Sequence, residues 1–275
     1  MSEGPPWVWD PRALREIRRS ILRCSSEARP NIQVFQLAAN PAGAPPEAEW
    51  AVLPSSFNPP TEAHAAMLRW GLDYGGFHRG MLLLDIHHAD KGFQDAALED
   101  RGLMLRLRFA SEPRLTLGVC SHGRFLDKTA ALESFLGRER RWSFLVGMDT
   151  VARVLDPRFY IEPERELELL FQRAGFVVFP REGVPPETHG GVERWRARGA
   201  QVRFVELPQP VRSISSSAIR DRRARGLPLL PDVSPAVAAF IEETGLYLPD
   251  TSRTTRYGER KRWLADLFER GPEDV

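Results

Sequence analysis

Cysteine is scarce in this 275-residue chain: only Cys24 and Cys120 occur, far apart and without a second cysteine at metal-ligand spacing. That excludes a disulfide scaffold and leaves no zinc motif to read. Long apolar runs are missing too. No stretch approaches the roughly 20 residues a membrane helix needs, and Met1 to Asp10 shows no basic segment followed by an apolar one. A cytoplasmic protein with no membrane partner is the expectation. Nor is either charge in excess, since 38 basic side chains face 37 acidic ones for a formal charge of +1. Without a global field to draw nucleic acid, any anion site must be built locally. Lysine is the last shortage: Lys91, Lys128 and Lys261 are the three among the 38 basic residues, and the rest are arginines. That bias reads as a coding effect, although arginine's planar fork also suits bidentate phosphate contacts.

What is present suffices for a sizeable core, because 42% hydrophobic residues over this length permit one large α/β domain or two small ones. From Asp10 to Ala28, Leu14, Ile17, Ile21 and Leu22 fall at helical spacing, and Pro11 suits a first turn. A strand-like run, Ile32 to Leu37, and a Pro- and Ala-rich loop follow, so residues 1–48 read as an extension packing on the main domain. From 49 to 250 short apolar runs alternate with longer periodic ones. The strand candidates are Trp50 to Phe57, Gly80 to Ile86, Leu115 to Cys120, Trp142 to Met148, Phe176 to Pro180 and Val202 to Leu207. Helix candidates lie between and after them: Glu62 to Tyr74, Asp95 to Phe109, Leu126 to Arg138, Pro163 to Ala174, Val192 to Arg198, Ser216 to Arg225 and Pro235 to Thr244. This alternation predicts an open, doubly wound parallel sheet, which binds ligands at the carboxyl ends of its strands. Residues 251–275 form a C-terminal tail with Trp263, Leu264, Leu267 and Phe268 on one helical face. That face suits a packing helix or a subunit contact, and it leaves a homo-oligomer open.

Two loop-to-helix junctions carry the chemistry. The first is Ser55-Ser56-Phe57-Asn58-Pro59-Pro60-Thr61-Glu62-Ala63-His64, where small residues end a strand, Asn-Pro-Pro fixes a turn and a helix starts beside Thr61. Thr61 and His64, three apart, share a helix face and can meet one anion. The second is Ile214-Ser215-Ser216-Ser217-Ala218-Ile219-Arg220, an N-terminal cradle of hydroxyls with a guanidinium one turn in. Each alone is also a plain turn or cap. Together they are what a nucleoside triphosphate site requires.

The pair resembles the nucleotidylyltransferase superfamily, whose first motif has the form (T/H)-x-x-H and whose last reads I-S-S-(T/S)-x-(I/L)-R. Within it, Phe57-Asn58-Pro59 and Ser-Ser-Ser-x-Ile-Arg look most like the nicotinamide or nicotinate mononucleotide adenylyltransferases. The likeness extends over about Trp50 to Leu248 and includes Gly147-Met148-Asp149, similar to the family's strand-ending G-x-D, and the closing Gly245-Leu246-Tyr247. It implies a Rossmann-like fold and transfer of AMP from ATP, with Mg2+, to a pyridine mononucleotide. It also implies roles. His64 would bind the triphosphate with Thr61 beside it. Ser55, Ser56 and Phe57 would line the nucleotides, and Gly147 and Asp149 would sit against adenosine. Ser216, Ser217 and Arg220 would hold the outer phosphates, Lys91 would stand near them, and Arg101 would support that region.

Two departures from the pattern stand out. Ser55 replaces the glycine usual in relatives, and no tryptophan lies between Asp149 and Pro180 to stack on the pyridine. Either Phe159 and Tyr160 take that place or both are core residues. No protein-held metal is expected: His87 and His88, adjacent on an extended chain, point to opposite faces. Two other readings remain, transfer to another phosphorylated acceptor such as phosphopantetheine, and a nucleotide-binding regulator without turnover.

Overall fold

A computed structural model of the chain describes residues 10–38, 48–86, 96–180, 186–249 and 256–269. Its strands are β1 (Ile32–Gln36), β2 (Glu49–Ser55), β3 (Arg79–Asp85), β4 (Leu115–Cys120), β5 (Arg141–Gly147), β6 (Gly175–Phe179) and β7 (Val202–Phe204). They form one sheet in the order β1-β4-β3-β2-β5-β6-β7. β1 runs antiparallel to β4, and the other neighbours are parallel. The parallel strands are buried almost end to end, as in Leu115–Cys120 and Gly175–Phe179. Such runs need cover on both faces, and helices supply it.

On one face pack α1 (Pro11–Ser26), α2 (Glu62–Asp73), α3 (Leu98–Phe109) and α9 (Pro235–Thr244), with α10 (Arg256–Glu269) against them. The other face is covered by α4 (Phe125–Leu136), α5 (Met148–Val154), α6 (Pro163–Arg173) and α7 (Pro186–Ala197). α8 (Ser216–Ala224) follows the last strand. Connections from β2 run one way across the sheet and those from β5 the other. The order therefore reverses between these neighbours, and a crevice opens at their carboxyl ends.

The expected elements match within a few residues, with two differences. The seven residues of α5 are too few for a periodic signal. α7 starts at Pro186 where a helix from Val192 was expected, because Gly190 and Gly191 lower the helical signal of its first half. The N-terminal stretch is joined closely to the rest. Asp10 caps α1 by accepting from Ala13 N (3.0 Å), and Leu14, Ile17, Ile21 and Cys24 face the core. Gly102 lets α3 approach α1, since a Cβ there would lie 2.7 Å from Ile17 Cγ2.

The apolar face of α10 is spent on the chain's own core, with Leu264 and Leu267 buried and Trp263 and Phe268 packed beside them. Polar contacts set its register. Tyr257 Oη accepts from Ala97 N (3.1 Å), and Arg260 donates from Nε and Nη2 to Asp100 Oδ1 at 2.8 and 2.6 Å. Both partners of that ion pair are fully buried. Removing one charge strands the other in a low dielectric, so Arg260→Met is expected to cost about 3–5 kcal/mol, and Asp100→Leu/Arg260→Met to recover most of it. Urea denaturation of the three proteins checks this. Equal losses in single and double variants would contradict it.

Candidate active site

Pro54, Ser55, Ser56, Asn58, Asp85, Thr150, Arg153 and Arg220 all line one cleft of about 420 Å³ over the carboxyl ends of β2, β3 and β5. Its floor is the turn from β2 into α2. Phe57, at φ 43°, holds the left-handed region that bulky side chains avoid, a strain on the order of 1–3 kcal/mol. Its fully buried ring, packed 5.0 Å from the His64 ring, offsets that cost. Asn58 is fixed on three sides: its Oδ1 accepts from Tyr247 Oη (2.7 Å) and Ala96 N (3.4 Å), and its carbonyl accepts from Arg220 Nη1 (2.8 Å). Burial pushes the Tyr247 phenol well above the usual tyrosine range, so it remains a donor.

At the start of α2, Thr61 and His64 form a reciprocal cap. Thr61 Oγ1 accepts from His64 N (3.4 Å) and lies 2.8 Å from Nδ1, while Thr61 N donates to His64 Nδ1 (3.0 Å). A backbone N–H can only donate, so Nδ1 must keep its lone pair and the proton sits on Nε2. That Nε2 lies 3.4 Å from Ser55 Oγ, a cleft-lining atom. Buried Thr61 thus acts through the ring and does not face the cleft. The backbone donors expected from the helix end are partly engaged: Glu62 N donates to Asp232 O (2.9 Å), and the Glu62 carboxylate takes a bidentate pair from Arg108 at 2.8 and 2.9 Å. What this end of α2 brings up to the cleft is its imidazole, which stands behind Ser55 and is not itself in the lining.

The second motif closes over the first. Ser215 caps α8 by accepting from Ala218 N (3.2 Å), and Ser216 Oγ donates to Pro59 O (2.8 Å). With Arg220 on Asn58 O, residues more than 150 positions apart in sequence hold consecutive carbonyls of one turn. Arg220 still faces the cleft with its remaining donors. Ser217 is exposed, its Oγ 3.2 Å from that of Ser215. Gly147 ends β5 as the cap of α5, and Asp149 is exposed in that first turn. From α5 it is Thr150, Arg153 and Val154 that line the cleft. His87, His88 and Lys91 lie outside the described residues.

Sequence reasoning missed Asp85, Gly123, Arg124 and Phe125, which form the far end of the cleft beside the two aromatic residues it had named, Phe159 and Tyr160. Phe125 stacks edge-on to Phe144 with ring centres 4.9 Å apart. Burial pushes the Tyr160 phenol up to about 12, and its hydroxyl donates to Val154 O (2.6 Å). Phe159 is half exposed at the rim. No motif marks Asp85 or Phe125. A strand-ending aspartate and a helix-starting phenylalanine gain meaning only from the sheet order that brings them together.

No family model matches the chain. A Schizosaccharomyces pombe protein, provisionally named nicotinamide mononucleotide adenylyltransferase, is 36% identical over 135 residues, covering 48% of this chain and 53% of that one. The chain thus spans about half the length of that relative. An Anaeromyxobacter dehalogenans protein, provisionally named nicotinate-nucleotide adenylyltransferase, is 31% identical over 208 residues, covering 72% of this chain and 96% of the relative. Among solved structures, the Plasmodium falciparum nicotinic acid mononucleotide adenylyltransferase complexed with NaAD superposes with a TM-score of 0.59 at 15% identity, over 73% of this chain and 98% of that one. That likeness establishes the shared fold. The identity along nearly the whole length of the Anaeromyxobacter protein goes further: this chain belongs to the nicotinamide/nicotinate mononucleotide adenylyltransferase family.

Proposed function

We propose that the cleft joins ATP to a pyridine mononucleotide, transferring AMP to the acceptor's phosphate and releasing pyrophosphate. The observation that carries this reading is the direct bonding of Ser216 and Arg220 to the Pro59 and Asn58 carbonyls, which puts both loops around one cavity. In this reading the triphosphate lies along Ser55, Ser56 and Arg220, and the Nε2 proton of His64 points towards it. The bases occupy the flanks, with Phe125, Phe159 and Tyr160 offering flat faces to a ring. A phosphate oxygen of the acceptor attacks the α-phosphorus in line. The bond from that phosphorus to the bridging oxygen breaks, and pyrophosphate leaves with the electron pair. No covalent enzyme intermediate is needed, so catalysis rests on positioning and on neutralising charge as it builds on the leaving group.

Magnesium enters with ATP as part of the substrate. Among the described residues no three His, Cys, Asp or Glu side chains gather to hold a metal. Its ligands in this reading are phosphate oxygens. Also among the described residues, no helix is long and apolar enough to cross a membrane.

Incubation with ATP, magnesium and each mononucleotide is expected to yield the dinucleotide and one equivalent of pyrophosphate. Pyrophosphate formed only with an unrelated acceptor such as phosphopantetheine, or with none, would overturn the reading. His64→Ala is expected to lower kcat by about 10²–10³-fold, by analogy with the loss of an oxyanion donor, and to cost only about 1 kcal/mol of stability through the lost half of the α2 cap, read from its denaturation midpoint. Arg220→Lys keeps the charge but cannot serve both the Asn58 carbonyl and the phosphates. A fall on the order of 10–100-fold in kcat/KM, read in steady-state assays, is the expected cost.

A further inference from the structure

The two ends of the cleft differ in charge. At the motif end Arg220 and Arg101 face the cavity. At the aromatic end two cations are paired with carboxylates. Lys128, at the first turn of α4, is completely buried, and its ammonium meets three acceptors: Asp85 Oδ1 at 3.0 Å and the carbonyls of His122 and Gly123 at 2.7 Å each. An ammonium has three N–H groups, so none remains for a ligand. Arg124 is held in part, with Nε and Nη2 on Asp127 at 2.9 and 3.0 Å and Nη1 on Glu166 at 3.2 Å, so three of its five N–H donors are taken. Two cations therefore stand against three carboxylates, those of Asp85, Asp127 and Glu166. Of these carboxylates, Asp85 is the one that lines the cavity.

We propose that this end of the cleft selects the acceptor by the charge on its ring: Asp85, fixed by Lys128, admits a neutral carboxamide and disfavours a carboxylate, while Asp127 and Glu166 neutralise Arg124. The inference rests on the reading of the cleft as the site of ATP and a pyridine mononucleotide. Its chemistry is short. A carboxamide carries an NH2 that can donate to Asp85. A carboxylate only accepts, and beside a second carboxylate in a partly dehydrated cavity it meets repulsion. Lys128 and Asp127 are positioning residues here, acting through Asp85 and Arg124. Among the described residues one further cation competes with this arrangement: Arg153 of α5 lines the same cleft, is exposed, and donates from Nη2 to Thr150 Oγ1 (3.3 Å).

Steady-state dinucleotide formation with nicotinamide mononucleotide and with nicotinate mononucleotide tests the proposal in the full chain and in Asp85→Asn, Asp127→Asn and Arg153→Gln. The parent is expected to favour the amide in kcat/KM by about tenfold or more, the scale of one like-charge contact in a partly buried site. Asp85→Asn is expected to narrow that ratio. Asp127→Asn, in the half-buried first turn of α4, keeps the shape of the side chain and is expected to lower KM for the acid form by loosening Arg124. A merely structural role would weaken both acceptors alike and leave the ratio fixed. A parent that prefers the acid form and loses that preference in Arg153→Gln would overturn the proposal, as would a ratio unmoved in both Asp85→Asn and Asp127→Asn. Absence of product with either mononucleotide would instead sink the functional reading on which it stands.

Discussion

Two backbone carbonyls, those of Asn58 and Pro59, receive a guanidinium and a hydroxyl from the far end of the domain. Carbonyls in a proline-rich turn have no strand or helix partner of their own, and such groups are costly when buried without one. Arg220 and Ser216 satisfy them, and Tyr247, from the segment after α9, holds the Asn58 amide in place. Each contact contributes only about 1 kcal/mol net, or somewhat more for the charged one. Their effect is mainly geometric. The turn after β2 and the start of α8 cannot separate without leaving polar groups unpaired, so a nucleotide meets a cavity already assembled, and little of its binding energy goes into ordering loops.

His64 shows how a cap can serve chemistry. A helix start needs its N–H groups satisfied, and Thr61 with His64 does this reciprocally. The same bonds that cap α2 hold the imidazole's tautomer and aim its remaining proton at the Ser55 side of the cleft. Buried charges add a second layer. Asp100 with Arg260 and Asp85 with Lys128 each fix one element against another, α10 on α3 and the start of α4 on β3. Such pairs specify geometry more than they stabilise. The outcome is a cleft that Arg220 faces at the phosphate end, with Lys128 and Arg124 paired to carboxylates where the aromatic rings gather.

Much of this could be read from the chain alone. Apolar runs such as Leu115–Cys120 and Trp142–Met148 separated by periodic segments predict the doubly wound sheet, and Thr61, His64, Ser216 and Arg220 stand in motifs with recognisable spacing. The antiparallel pairing of β1 on β4 was not readable, because a strand's partner is set by tertiary packing and not by its own pattern. Nor was the charged, aromatic end of the cleft. Asp85, Lys128 and Phe125 are ordinary residues at ordinary positions until the order β4-β3-β2-β5 puts their termini side by side. The indirect task of Thr61 was hidden for a similar reason. Spacing of three shows that two side chains share a helix face, but not that one of them turns back to bond the other.

The central claim is that the two loops grip one triphosphate from opposite sides. A crystal structure with magnesium and a non-hydrolysable ATP analogue tests it most directly. The account predicts phosphate oxygens within about 3 Å of both His64 Nε2 and the Arg220 guanidinium. Phosphates held by one of these groups while the other faces empty solvent, or an analogue lodged elsewhere on the sheet, would contradict it.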